Sequence, residues 1–264
     1  MKYAIVDGVR VEAAKGINGT CPSCGAPVIA KCGEIRIDHW AHRGERNCDP
    51  WWENETEWHR SWKGLFPADW QEILHYDSSG EKHIADVKTP ENWVLEFQHS
   101  FLDSSERKSR NEFYKKIVWV VDGIRRKTDV KQFRTWVETG TQVSPNNPIF
   151  KVQFPEECRL VREWENNSTL TFFDFNEQTQ DGDYRIWLLF PRLFDNTTYI
   201  AWFLRNRFVE LNKTGSFQNF VDNKINETMQ ILRELNNKTR NKTVGYSRLF
   251  VARSQTYRRS RRRF

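Results

Sequence analysis

Short apolar runs, broken by charged or turn-forming residues, dominate the chain. Tyr3 to Val6, Val9 to Ala13 and Pro27 to Ala30 have the length of strands. A stretch rich in Trp and charge, from about Trp51 to Leu65, predicts a helix. Strands are expected next near Gln71 to Tyr76, His83 to Lys88 and Trp93 to Gln98. Asp103 to Lys116 reads as a charged helix, with Asp103 as N-cap and Glu106 three positions on completing a capping-box-like pair. Ile117 to Val121 is wholly apolar and closed by Asp122-Gly123, which predicts a buried strand. Helix, three strands, helix, strand is the order of a mixed sheet flanked by helices, so an α/β (α+β) fold is expected.

Thr139 to Pro148 is loop-like, with Gly140, Pro145 and Pro148. Boundaries are therefore expected to divide the chain into 1–50, 51–145, 146–252 and an Arg-rich tail at 253–264. Past the loop lie strand-like Ile149 to Phe154 and Leu170 to Phe175, an aromatic stretch from Tyr184 to Phe208 and a helical stretch from Phe217 to Asn236. Their residues suggest no chemistry.

Composition narrows the class. Aromatics make up 14% of the 264 residues, with twelve Trp and eighteen Phe, so the chain has the material for a real core. The longest apolar runs, such as Ile186 to Phe190 and Tyr199 to Leu204, fall far short of the roughly 18 residues that span a bilayer. Asp7 and Arg10 interrupt any secretory h-region, so a cytoplasmic protein is expected. The net charge of +6 is unevenly placed. Arg253, Arg258, Arg259, Arg261, Arg262 and Arg263 crowd the C-terminus, where they would attract a polyanion or form a solvated tail.

Four of the five cysteines lie between Cys21 and Cys48. An odd, clustered set suits a metal site better than a disulfide scaffold. Cys21-Pro-Ser-Cys24-Gly25 is a zinc-knuckle type turn, and His39, His42 and Cys48 offer the remaining ligands. The preferred set is Cys21, Cys24, His42 and Cys48, with His39 as the substitute and Cys32 less favoured. Four good ligands make a closed, structural zinc site rather than a catalytic one.

A second group is acidic. Asp86 ends the His83–Lys88 strand, and Glu96 and Gln98 share one face of an otherwise apolar strand, against the local pattern. Asp86 and Glu96 would supply hard oxygen ligands to magnesium or manganese. Glu55, His59 and Lys63, at i, i+4 and i+8, would lie on one helix face and point to the same place. Taken singly, each has a bland reading: a surface pair, a strand-end cap or an edge residue.

Together, Cys-Pro-x-Cys, His39-Trp-Ala-His42, Glu55-Thr-Glu-Trp-His59-x-x-Trp-Lys63, Ala-Asp86-Val, Glu96-Phe-Gln98-His99-Ser, Arg110-Asn-Glu-Phe-Tyr114 and Ile117-Val-Trp-Val-Val-Asp-Gly resemble the competence protein CoiA-like family over about residues 1 to 125. The resemblance implies a restriction-endonuclease-like PD-(D/E)xK core behind a zinc-binding N-terminal region. It makes Asp86 and Glu96 the metal-binding acids and gives Glu55 the helix carboxylate position. Gln98 stands where that superfamily most often has lysine. Lys63, or less favourably Lys88, would supply the missing cation, and His59 would shuttle a proton or hold Glu55.

The expectation is a metal-dependent DNA endonuclease acting in DNA processing, recombination, transformation or anti-phage defence. Arg107, Lys108, Arg110 and the tail arginines would grip phosphates. The alternatives are a catalytically weak DNA-binding protein on the same fold, or a zinc-stabilised adaptor. A homo-oligomer and recombination or defence partners fit each version.

Overall fold

Alternation of apolar and polar residues builds the first layer. In the computed structural model the described residues are 1–34, 37–44, 48–51, 55–145, 148–194, 196–235 and 237. Strands β1 (Tyr3–Val6), β2 (Val9–Glu12), β3 (Asn18–Thr20), β4 (Pro27–Lys31) and β5 (His39–His42) form one antiparallel sheet in the order β2-β1-β3-β4-β5. Met1, Ala4, Cys21, Val28 and Trp40 are its small core. The short β3 and the His-Trp-Ala-His strand β5 lack an apolar run and were not expected as strands.

Helix α1 (Glu57–Lys63) is followed by strands β6 (Gln71–Tyr76), β7 (Lys82–Lys88) and β8 (Val94–Gln98), helix α2 (Ser104–Tyr114) and strand β9 (Ile117–Asp122). This is the expected order. After it come α3 (Lys127–Glu138), β10 (Thr141–Gln142), β11 (Ile149–Gln153), α4 (Arg159–Trp164), β12 (Thr171–Gln178), β13 (Tyr184–Leu189), β14 (Thr197–Leu204) and α5 (Arg205–Lys213). Helix α3 carries Val130, Phe133 and Trp136 at helical spacing, an amphipathic signal legible in the sequence.

Among the described residues the nine later strands form one mixed sheet, β10-β11-β14-β13-β12-β9-β8-β7-β6, with β8, β9 and β12 parallel. The boundary expected at 145/146 therefore falls inside a sheet, between β10 and β11. The loop composition there marks a hairpin connection, not a gap between hydrophobic cores. The chain instead divides into two compact units, residues 1–217 and 218–264. In the second unit the described chain is helical, with a π-helical turn at Val221–Ile225 followed by helix over 226–235.

Neighbouring residues of β12 show the layering. Phe172 packs on Phe208 of α5, whose ring also meets Trp62 of α1, while Phe173 packs on Phe133 of α3. On β9, Trp119 lies on the Phe173 side and meets Trp164 of α4. Helices α1 and α5 thus cover one face, and α2, α3 and α4 the other.

The Asp103 carboxylate caps α2 by accepting the Ser105 N–H at 2.8 Å. Glu106 does not complete the box; its carboxylate takes Arg110, one turn on. Gly123, after β9, leaves no room for a side chain, since a Cβ there would meet the Phe175 ring at 2.4 Å. Gly123→Ala should lower stability by about 1–3 kcal/mol, read as a shifted denaturation midpoint. An unchanged midpoint would mean that the ring moves aside freely.

Candidate functional site

The thiols come together first. After Cys21 the chain turns back, with the Gly25 N–H donating to the Cys21 carbonyl at 2.9 Å and Gly25 at φ +73°, a conformation that favours glycine. Cys21, Cys24, His42 and Cys48 place their ligand atoms within 4.8 Å of one another. Cys21 Sγ lies 3.6 Å from Cys48 Sγ, and Cys24 Sγ lies 3.3 Å from His42 Nε2. A tetrahedral zinc thiolate site, with Zn–S of about 2.3 Å, has edges of about 3.8 Å, so the donor set fits zinc.

Strand β5 chooses between the histidines. Successive side chains alternate, so His39 and His42, three apart, point to opposite faces. His42 joins the thiols, and His39 donates its Nδ1–H to the Ile37 carbonyl at 2.9 Å. Cys32 lies outside the cluster.

The cluster is tied to the large sheet through the residue after Cys48. The buried Asp49 carboxylate accepts the Ile84 N–H at 2.8 Å and pairs with His83 Nδ1 at 2.9 Å, and Trp51 stacks on the His83 ring.

The acidic group sits where β7 and β8 separate. The two strands pair only through Val87↔Leu95 and Lys88↔Val94. Beyond that point carboxylates replace the ladder. The Asp86 N–H donates to Glu96 Oε1 at 3.3 Å, and the Phe97 N–H donates to Asp86 Oδ2 at 3.0 Å. Each acid thus satisfies a backbone donor that the opening would otherwise orphan.

A cleft of about 610 Å³, open to solvent, lies here. Its lining includes five acids (Asp49, Glu55, Glu72, Asp86, Glu96) against the cations Lys63 and Arg110, together with His59 and Gln98. Nζ of the Lys63 side chain, which is 4% exposed, lies 2.7 Å from Glu55, 2.9 Å from Glu72 and 3.9 Å from Asp86. Glu55 precedes the N-cap Thr56 instead of lying on the helix face, and Arg60 holds its second oxygen at 3.0 Å. His59 bonds Thr56 Oγ1 through Nδ1. Lys88 does not line the cleft.

Electrostatics follow from this packing. Burial and the neighbouring Asp86 push the Glu96 carboxyl up to about 8, although Arg110 Nη1 sits 3.2 Å away. Burial also raises Asp86, against the pull of Lys63 and His59. Glu72 goes the other way: burial opposes its charge, but Lys63 and the backbone N–H of Lys2 bring it down to about 2. Carboxylates in excess, two of them with raised pKa, are a donor set that a divalent cation fits.

Glu72 was missed in the sequence because, in a half-apolar strand, it reads as an ordinary solvent-facing residue. The phosphate-gripping expectation needs correcting for two arginines. Arg110 is buried between Glu96, Glu106 and the Trp51 carbonyl, and Arg107 is buried over the Trp164 ring. Both are committed to partners within the fold. Lys108 is exposed, 3.8 Å from Glu112. Arg258, Arg259, Arg261, Arg262 and Arg263 lie outside the described residues. Among the described residues no helix is long and apolar enough to cross a membrane.

No curated protein matches the chain, and no solved structure does. A family model does match: competence protein CoiA, N-terminal domain, over residues 11–50. That span contains all four residues of the Cys/His cluster. Residues 11–50 are thus similar to the N-terminal domain of competence protein CoiA, the part of the chain that carries the Cys/His cluster.

Proposed function

We propose that the chain is a metal-dependent DNA nuclease with a competence-related role, cutting phosphodiester bonds at the Asp86–Glu96 cleft. The observation that carries this reading is the acid-rich opening between β7 and β8, where two carboxylates exchange backbone N–H groups beside a buried lysine. Asp86 and Glu96, with Glu55 behind them, would hold magnesium or manganese. The ion supplies an acidified water and charge neutralisation at the phosphate. Gln98 orients water through its amide but brings no charge, so Lys63, 3.9 Å from Asp86, supplies the cation. The zinc cluster is structural in this reading and takes no part in the chemistry.

The test is cleavage of labelled single- and double-stranded DNA with either metal. Wild type should cut, and Asp86→Ala and Glu96→Ala should each cut about 10²–10³-fold more slowly. Cutting at the wild-type rate by both variants would place the chemistry elsewhere.

One observation favours a second reading, DNA binding with little turnover. The charge of Lys63 is already shared between Glu55 and Glu72, at 2.7 and 2.9 Å. Tight, salt-sensitive binding without cutting by the wild type is the expected result in that case.

A further inference from the structure

β8 runs out at His99, one residue past Gln98. Gln98 is in register with Val121 of the parallel strand β9, so His99 and Asp122 are the next pair along. Its Nδ1–H donates to Asp122 Oδ2 at 2.7 Å. Asp122 is buried, and its other oxygen accepts the Ile124 N–H at 2.9 Å. The His99 side chain is 37% exposed, and no described residue hydrogen-bonds its Nε2. Its ring lies 6.0 Å from that of His59, which lines the cleft, and 6.4 Å from Trp58. A buried carboxylate on Nδ1 fixes the orientation of an imidazole and leaves Nε2 facing outward.

Strand geometry gives this pair a side. Glu96 and Gln98 point to one face of β8, while Phe97 and His99 point to the other, toward α1. A phosphate seated over the strand end would then have the water-orienting amide on one side and the imidazole on the other. In-line displacement requires that arrangement of attacking and leaving oxygens.

We propose that His99, held by Asp122, is the catalytic acid that protonates the leaving ribose oxygen; the inference rests on the nuclease reading above. A water oxygen forms the new bond to phosphorus. The bond to the ribose oxygen breaks, and its electron pair stays on that oxygen, which takes the Nε2 proton of His99. The attacking water gives one proton to solvent, and solvent returns one to His99. Asp122 is a positioning residue.

The test uses the full chain with magnesium and two further oligonucleotide sets, in which sulfur replaces the bridging 3′ oxygen or the bridging 5′ oxygen. A thiolate leaves without needing a proton. His99→Ala should cut all-oxygen DNA about 10²–10⁴-fold more slowly. On one of the two sulfur substrates it should run near the wild-type rate, with melting temperature and metal-free DNA binding unchanged. Asp122→Asn should fall in the same direction. Equal slowing on oxygen and sulfur substrates, or no slowing at all, overturns the assignment while leaving the nuclease reading intact. Wild type that cuts no substrate, and so cannot be told from Asp86→Ala, overturns both.

Discussion

Cys21→Ser and His42→Ala are each expected to abolish stoichiometric zinc and lower the melting temperature by roughly 10 °C or more. His39→Ala and Cys32→Ser should do neither. The expectation rests on geometry, because the three thiols and the His42 ring converge within 4.8 Å while His39 is turned to the Ile37 carbonyl. Structural zinc contributes on the order of 10–16 kcal/mol of apparent binding free energy in small domains, and only the folded module collects the ligands. The surrounding core is small, five buried residues with their neighbours, so it is poorly placed to hold its shape without the ion. Metal analysis and thermal melts on the purified variants decide the matter. Zinc retained in Cys21→Ser with normal melting, or lost in His39→Ala, would overturn the ligand set. The damage should also reach the cleft, because Asp49, next to Cys48, holds the Ile84 amide and His83.

The second large effect is expected at Lys63. Lys63→Met removes the cation that Glu55 and Glu72 both contact and leaves their carboxylates buried. Breaking a buried pair by deleting one partner costs about 3–5 kcal/mol. The pH dependence has a definite sign. In the native chain the Glu72 carboxyl sits at about 2, below its unfolded value, so its contribution is present above the unfolded pKa and fades as pH falls toward 2. Without Lys63 the folded pKa rises above the unfolded one, so the variant gains relative stability as the group protonates. The deficit should be largest at neutral to alkaline pH and shrink toward about pH 4. Denaturant titrations at several pH values measure this, and Glu72→Gln added to Lys63→Met should recover part of the loss. A deficit independent of pH would mean that lost packing, not buried charge, is the cause.

The sequence alone determined the order of elements around the cleft. Buried strands such as Ile117–Asp122 are apolar along their whole length, and Asp103 caps its helix by local chemistry that needs no distant partner. The Cys21-x-x-Cys24 knuckle and the misplaced acid Glu96 were equally legible, one from ligand spacing and the other from breaking an apolar pattern. Tertiary structure decided everything that depends on which face meets which. Strand alternation put His42, not His39, on the thiols. The divergence of β7 from β8 turned Asp86 and Glu96 into a pair. Burial turned Arg107 and Arg110 from exposed cations into internal partners and brought Glu72 to Lys63. The loop at 139–148 could not be told from a domain boundary, because turn residues look the same in a hairpin and in a linker. A side chain's type is written locally, but its neighbours and the water it loses are set by long-range packing, and those fix its charge and its role.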